Sequence, residues 1–310
     1  MVRSGIKVYA PATVSNVGVG FNVLGFAVEK PGDEVLIREG LQKGLVISKI
    51  TGAGGKLSTD TKVNTAGIAA QKLLEYLGEA ERPLEMEIHK HNPIKSGLSS
   101  SASSAVAGVF AVNEFVKAGL TKTELLQFAV EAEQLVTGNF NALQVAPSLL
   151  GGMILIHDHL SLDFKKLYLP QGLFVVLIHP EMPVQVRQGF ILETSVDFDI
   201  VLKQQANLAS FVSAMYTSDL SLLASCLEDV MIEPQIAHHI PLFYDLKALS
   251  LQEGALGFSI SGNGPAMFAI CDNSLKAEAI TEKAAKLYFD HKIKAETWIT
   301  KINHEGAVLF

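Results

Sequence analysis

Strand-like and helix-like patterns are mixed along this chain, and they do not alternate strictly. Residues 6–10 (IKVYA) and 84–90 (LEMEIHK) alternate apolar with polar side chains, which predicts strands. Residues 63–77 have a helical pattern that Gly78 ends, and a capping box of Thr121 and Glu124 begins another helix. This mixture favours an α+β fold with mixed sheets and helices packed on them, rather than a parallel sheet of βαβ units.

The chain is long enough for two domains. It has 310 residues, of which 48% are hydrophobic and 18% are charged, which is typical of globular proteins. We place the domain boundary at Pro170, before the fully apolar strand pattern of residues 173–178. The predicted domains are therefore residues 1–169, which would carry the nucleotide site, and residues 170–310.

Charge and apolar patterning limit the partners of the chain. The net charge is −7 without any basic block, which argues against a nucleic-acid partner but permits a local anion site. The apolar runs are too short to span a bilayer, and the start lacks the apolar core of a signal peptide. Cys226 and Cys271 are isolated and fit no metal or redox spacing. We expect a cytoplasmic protein with no membrane partner.

The stretch PIKSGLSSSASSAV, residues 93–106, places six serines directly before a helical pattern. The first turn of a helix has backbone N–H groups without partners and a partial positive charge. Small residues let a phosphate approach these groups, and serine hydroxyls add hydrogen bonds or a ligand for magnesium. A serine-rich N-cap that binds no ligand is the alternative. The usual nucleotide motifs are absent, since no G-x-x-x-x-G-K-[ST] occurs and residues 18–25 lack the dinucleotide spacing.

Three stretches, in order, resemble the motifs of the GHMP kinases, which phosphorylate small alcohols with ATP and magnesium. The serine loop is similar to the second motif (P-x-x-x-G-L-G-S-S-A), residues 9–28 to the first, and residues 254–270 to the third. Within this superfamily the chain resembles homoserine kinase over nearly its whole length. The resemblance implies a two-domain GHMP-kinase-like fold, ATP and Mg²⁺, and phosphorylation of homoserine to O-phosphohomoserine in threonine biosynthesis. The family is often dimeric, so a homodimer is expected.

The resemblance also implies residue roles. For the nucleotide and its phosphates these are Asn64, Pro93, Lys95, Ser96, Gly97, Leu98, Ser99, Ser100, Ser101 and Ala102. Gly262 and Gly264 would support the loop as a glycine turn. Ser101, or else Ser100, and Glu133 would bind magnesium. The helical projection places Glu133 at the edge of an apolar arc, where a glutamate without a ligand is the alternative. Asn64 could equally be a simple N-cap.

The substrate side departs from the family pattern. The candidate substrate-binding residues are Asn16, Asn22, Asn141, Gln144 and Arg187. Asn22 replaces a family acid, Leu143 is apolar where the family is polar, and a family threonine aligns with Val186. The two family arginines that would bind a carboxylate align with Phe190 and Ile236.

These departures leave two alternatives to homoserine phosphorylation. One is a GHMP kinase for another small alcohol, and the other is a catalytically impaired or redesigned protein with this fold. Ser99 also stands where glycine is usual, which adds a Cβ at a position that can need an unusual torsion. No general base stands out, so the rate is assigned mainly to magnesium and the loop dipole.

Two H-x-H patterns remain. His89 with His91, and His157 with His159, lie on predicted strands, which places both rings of each pair on one face. Each pattern supplies two ligands, which is fewer than a zinc site needs. Surface histidines are therefore favoured over a zinc site.

Overall fold

A computed structural model describes residues 5–138, 140–182, 192–193 and 195–310. These residues form two mixed layers of sheet and helix. The strands of the first sheet are β1 (Gly5–Ser15), β2 (Leu24–Glu39), β3 (Leu45–Thr51), β4 (Leu84–His89), β5 (Met153–Asp158), β6 (Asp163–Leu167) and β11 (Val308–Leu309). The strands of the second sheet are β7 (Phe174–Pro180), β8 (Gly257–Ile260), β9 (Met267–Cys271) and β10 (Ala295–Lys301).

Helices pack on both sheets. They are α1 (Thr65–Tyr76), α2 (Ser100–Val116), α3 (Lys122–Thr137), α4 (Val145–Leu150), α5 (Phe198–Thr217), α6 (Leu220–Cys226), α7 (Glu233–Ile236), α8 (Phe243–Gln252) and α9 (Ser274–Asp290), with a 3₁₀ turn at Ala237–His239. Within the described ranges, none of these helices has the length and apolar character needed to cross a membrane.

The first sheet has the order β11-β1-β2-β4-β3, and β5 and β6 extend it from β2. Only the β3–β4 pair is parallel among the paired strands described in it. The second sheet has the order β10-β7-β9-β8 and is antiparallel. The α+β prediction with mixed sheets is confirmed. The sequence patterns did not indicate β6, α4 or β11, which are short, and Pro147 lies within the first turn of α4.

The chain changes from the first sheet to the second between Leu167 and Phe174. Residues near the end of the chain return to the first sheet: β11 pairs with β1, and Ile302 bridges to Val28. A buried apolar cluster also contains residues of both sheets, such as Phe26 and Phe268. The division into residues 1–169 and 170–310 stays a prediction.

Helix α2 is central to the first layer. It packs against β1, β2 and the helices α1, α3 and α4, so almost all of its sides are buried. This position explains its small residues: a Cβ at Gly108 would lie 2.5 Å from the carbonyl oxygen of Ala66 in α1. The serines at its start therefore belong to a helix that packs on the sheet and on three other helices.

Candidate active site

The serine loop between β4 and α2 contacts the glycine turn between β8 and β9. The Ala266 N–H donates to the Ser96 carbonyl oxygen at 2.8 Å, and Ser261 Oγ donates to the Gly97 carbonyl oxygen at 2.8 Å. Gly97 has φ +90°, and a Cβ there would lie 2.5 Å from the Ser261 carbonyl oxygen. Gly262 and Gly264 also have positive φ. The structure therefore brings the stretches that resemble the second and third motifs into direct contact.

The side chain of the N-cap residue of α2 makes no hydrogen bond to the backbone N–H groups of the first turn. Ser99 is the N-cap residue, but it has φ 56° and ψ 45° and its side chain accepts no capping bond. Its Oγ is buried and has no hydrogen-bond partner in the part of the chain that the structure describes. The side-chain oxygen of an ordinary N-cap serine accepts a hydrogen bond from a backbone N–H in the first turn of the helix. This geometry favours an anion site at the start of α2.

We expect Ser99→Gly to raise the free energy of unfolding by about 1 kcal/mol, because a left-handed backbone costs a residue with a Cβ roughly that amount. Urea denaturation measures the change. Ser213→Gly in α5 is the control, and it should lower stability by about 0.5–1 kcal/mol because glycine weakens a helix interior. A loss of stability in Ser99→Gly would contradict the strain at this position.

Ser101 and Glu133 meet at the opening of α2. Ser101 Oγ donates to Glu133 Oε2 at 2.9 Å, and Glu133 is 3% exposed. Its Oε1 is buried and has no hydrogen-bond partner within the described ranges. Burial raises the pKa of Glu133 to about 7, although the Ser101 hydrogen bond and the charge of Lys90 oppose this. Ser100 Oγ instead donates to the Asn92 carbonyl oxygen at 2.9 Å, so Ser101 is the serine beside the carboxylate.

The raised pKa of Glu133 predicts a pH dependence of stability. The folded state holds a proton up to about pH 7, whereas the unfolded carboxyl loses it near 4.5. The stabilisation is therefore complete below pH 4.5 and is lost as the pH rises through 7. We expect the wild type to lose at most about 3 kcal/mol across this window relative to Glu133→Gln, which does not titrate. Denaturation at pH 5 and pH 8 measures this. A constant difference between the two proteins would contradict it.

A buried ion pair lies behind the loop, and sequence reasoning did not find it. Asp33 in β2 is fully buried and contacts Nζ of Lys90, which is 5% exposed. Lys90 Nζ also donates to the Ser100 carbonyl oxygen at 2.6 Å and to Ser104 Oγ at 2.7 Å. Burial lowers the pKa of Lys90, and the Asp33 charge opposes this.

The other hydrogen bonds that the Asp33 carboxylate accepts join three parts of the chain. Asp33 Oδ1 accepts from the backbone N–H groups of His91 and Asn92, both at 3.1 Å. Asp33 Oδ2 accepts from Ser103 Oγ at 2.7 Å and Ser104 Oγ at 3.0 Å. One carboxylate thus connects β2, the start of the serine loop and the first turns of α2.

A cavity of about 570 Å³ opens above the loop. Apolar side chains line one side of it, including Leu57, Val63 and Val136, with Asn64 beside them. Asn64 is the N-cap of α1: its Oδ1 accepts from the Ala66 N–H at 3.1 Å and its Nδ2 donates to the Ser58 carbonyl oxygen at 2.9 Å. The other predicted loop residues that line the cavity are Lys95, Ser96, Gly97, Ser99, Ser100 and Ser101.

Pro93, Leu98 and Ala102 have other surroundings. Leu98 and Ala102 are fully buried. Pro93 instead lines a second cavity of about 1350 Å³, which shares Lys90 and Ile94 with the first. That larger cavity is not lined by residues 96–104, so the uncapped helix start opens into the smaller one.

The substrate-side amides form a chain. Asn16 Nδ2 donates to the Gly262 carbonyl oxygen at 3.0 Å, and the Asn22 N–H donates to Asn16 Oδ1 at 3.0 Å. Asn141 Nδ2 donates to Asn22 Oδ1 at 2.7 Å. Gln144 lines the cavity beside the loop. The structure thus joins Asn16, Asn22 and Asn141 in one hydrogen-bonded chain that reaches the glycine turn, and it places Gln144 at the cavity.

The remaining substrate-side positions are apolar or not described. Leu143 is 1% exposed and Ile236 is 3% exposed, and both belong to apolar clusters. Arg187, Val186 and Phe190 lie outside the described residues. Over the described ranges there is no group of three or more His, Cys, Asp or Glu side chains that could hold a metal. Magnesium bound together with nucleotide phosphates needs fewer protein ligands than that.

Comparisons with known proteins show the family to which the chain belongs. The family descriptions "GHMP kinases N terminal domain" and "GHMP kinases C terminal" match residues 64–152 and 211–290. A homoserine kinase of Chlorobium phaeovibrioides is 37% identical, over 97% of this chain and 98% of that protein. One from Arabidopsis thaliana is 36% identical, over 98% of this chain and 84% of that protein. The crystal structure of homoserine kinase from Cytophaga hutchinsonii superposes with a TM-score of 0.94 at 38% identity, covering 100% of this chain and 98% of that one.

Proposed function

The chain belongs to the homoserine kinase family of the GHMP kinases, and from this premise we propose that it transfers the terminal phosphoryl group of ATP to the side-chain hydroxyl of homoserine. The observation that carries the proposal is the uncapped start of α2 with the Ser101–Glu133 pair beside it. Phosphoryl transfer depends mainly on positioning and on neutralising the charge of the phosphates. A helix start that offers free N–H groups meets both needs.

We assign the triphosphate to the backbone of the serine loop and the first turn of α2. Lys95 is exposed at the cavity and makes no ion pair with any residue in the described part of the chain, so its charge is available to phosphate oxygens. The apolar surface of Leu57 and Val63 next to Asn64 would contact the nucleoside.

Ser101 and Glu133 fit a magnesium ion that arrives with ATP. The unpartnered Oε1 of Glu133 is a buried acceptor, and Ser101 Oγ lies beside it. One carboxylate and one hydroxyl, completed by phosphate oxygens and water, suit this ion. When bound, magnesium would neutralise charge on the transferring phosphate. The two side chains would hold it at the positive end of α2, and binding requires Glu133 to be ionised.

The substrate would lie against Gln144 and the amide chain of Asn16, Asn22 and Asn141. These groups are neutral donors and acceptors for a small polar molecule. The buried Leu143 and Ile236 favour, as a second candidate, an alcohol that makes fewer charged contacts than homoserine. A cytoplasmic location, a role in threonine biosynthesis and a homodimer are further proposals from the family.

Two measurements test the function. ATP with magnesium should raise the melting temperature of the protein. An unchanged melting temperature would contradict the proposed nucleotide site. ADP release in a coupled assay should depend on homoserine, with ATP alone as the control. A trace that stays flat at high homoserine would overturn the proposal. A panel of small alcohols in the same assay then separates a kinase with another substrate from an inactive protein.

A further inference from the structure

The two histidines of the second H-x-H pattern have different surroundings. His157, in β5, has a side chain that is 78% exposed and pairs with Asp163. His159 follows β5, is half-buried, and lies between two segments that are far apart in the sequence. Its Nδ1 lies 3.2 Å from the Ala142 backbone nitrogen, and its Nε2 lies 2.8 Å from the Asn22 carbonyl oxygen. His159 is therefore not the simple surface histidine that the sequence suggested.

The two hydrogen-bond partners of His159 determine which of its ring nitrogens carries the proton. A backbone N–H can only donate, so His159 Nδ1 must accept from Ala142 with its lone pair. A carbonyl oxygen can only accept, so His159 Nε2 must carry the proton that it donates to Asn22. Only the neutral imidazole with its proton on Nε2 makes both bonds. The other neutral tautomer loses both, and the imidazolium loses the bond from Ala142.

Both segments that His159 joins carry amides of the substrate side. Asn141 precedes Ala142, and its Nδ2 donates to Asn22 Oδ1 at 2.7 Å. Asn141 Oδ1 also accepts from the Leu143 N–H at 2.8 Å. Asn22 connects through Asn16 to Gly262 of the turn that contacts the serine loop. His159 thus closes a hydrogen-bonded ring around the Asn22–Asn141 pair.

We propose that His159 is a positioning residue, which holds the neutral Asn22–Asn141 amide pair in the orientation that binds the small polar substrate. The kinetic part of this inference rests on the proposed function. Asn22 has a left-handed backbone with φ 60° and its side chain is exposed, so packing alone does not orient it. The bond to its carbonyl oxygen, made by the His159 Nε2–H, supplies that orientation.

Three variants test the two bonds separately. His159→Phe keeps a planar ring but removes both nitrogens. His159→Asn places an acceptor near the Nδ1 position, and His159→Gln places a donor near the Nε2 position. We expect His159→Phe to raise KM for homoserine roughly tenfold, since small displacements of positioning groups have effects of this order or larger. KM for ATP should stay unchanged. The Asn and Gln variants should fall between, because each retains one bond.

His157→Phe is the matched control, because it makes the same change two residues away on an exposed side chain. It should leave both KM values unchanged. If His159→Phe raised KM for ATP as much as KM for homoserine, or if His157→Phe had the same effect, His159 would have only a structural role and the proposal would be overturned.

Nitrogen-15 NMR of the histidine rings provides a readout that does not need turnover. Two-bond ¹H–¹⁵N correlations should show His159 with its proton on Nε2 and an unprotonated Nδ1. The side-chain amide signals of Asn22 and Asn141 should shift in His159→Phe and not in His157→Phe. A proton on Nδ1, or unshifted amides, would overturn the inference. If the wild type did not phosphorylate homoserine, the proposed function would fail, and these spectra would still decide on the His159 contacts.

Discussion

We expect Glu133→Gln to reduce kcat by roughly a thousandfold, because the bound ion that the carboxylate would hold is worth several kcal/mol in the transition state. The variant keeps the size of the side chain and an acceptor for Ser101 Oγ, so the fold at this point is preserved. It also removes the negative charge of the carboxylate, whose Oε1 is buried and has no hydrogen-bond partner in the described part of the chain. Steady-state assays with homoserine across a magnesium titration measure the loss.

Glu131→Gln is the matched control on the same helix. Glu131 is 43% exposed and pairs with Lys72 on the surface, so its loss should leave kcat unchanged. A Glu133→Gln enzyme with wild-type kcat and the same magnesium dependence would show that Glu133 is only a buried structural acid. The melting temperature in the absence of nucleotide separates a loss of the ion from a loss of fold.

Asp33→Asn should lower the free energy of unfolding by about 3–5 kcal/mol, which is the usual cost of leaving one buried charge without its partner. The ammonium of Lys90 would keep its contacts to Ser100 and Ser104 but would lose the carboxylate that balances its charge. The backbone of His91 and Asn92 would also lose a charged acceptor. Urea denaturation should show a lower midpoint with an unchanged m-value.

Two further variants test the cause of that loss. Asp163→Asn removes an exposed acid that pairs with His157, and it should change stability by less than about 0.5 kcal/mol. Lys90→Met combined with Asp33→Leu removes both charges, so it should cost less than Asp33→Asn alone. A double variant that is less stable than the single one would show that packing, and not the unpaired charge, dominates at this site.

Much of the fold could be predicted from local patterns. The alternation in residues 84–90 predicts a strand, and the structure has the half-exposed strand β4 there. The sequence also predicts that Gly78 ends a helix, and Gly78 lies just after α1. The capping box of Thr121 and Glu124 is present, with both of its hydrogen bonds. These features depend on neighbours within a few positions, so the sequence records them directly.

Long-range pairing could not be predicted in the same way. Residues 32–35 (GDEV) begin with a Gly-Asp pair that is typical of turns, yet β2 continues through them while paired with β1 and β4. Asp33 is therefore a buried acid in a strand, and its partner Lys90 is distant in the sequence. Nothing local distinguishes this acid from a surface residue, since its charge is compensated only after the sheet and α2 have assembled.

The candidate site likewise combines features that local patterns predict with features that depend on long-range contacts. The periodicity of α3 placed Glu133 at the edge of the apolar arc, and the structure buries it beside Ser101. The sequence also singled out Ser99 as a residue in a position suited to glycine, and its φ of 56° agrees with that reasoning. The surroundings of His159 could not be predicted, because Asn22 and Ala142 approach it only through the fold.

The pairing of β11 with β1 has a consequence for synthesis of the protein. Residues 302–310 leave the ribosome after all the strands with which they interact, and until then β1 keeps an open edge. An unpaired edge can recruit strands from other chains. In the folded protein, Leu309 and Val308 pair with Val8 and Tyr9 and so cover part of this edge.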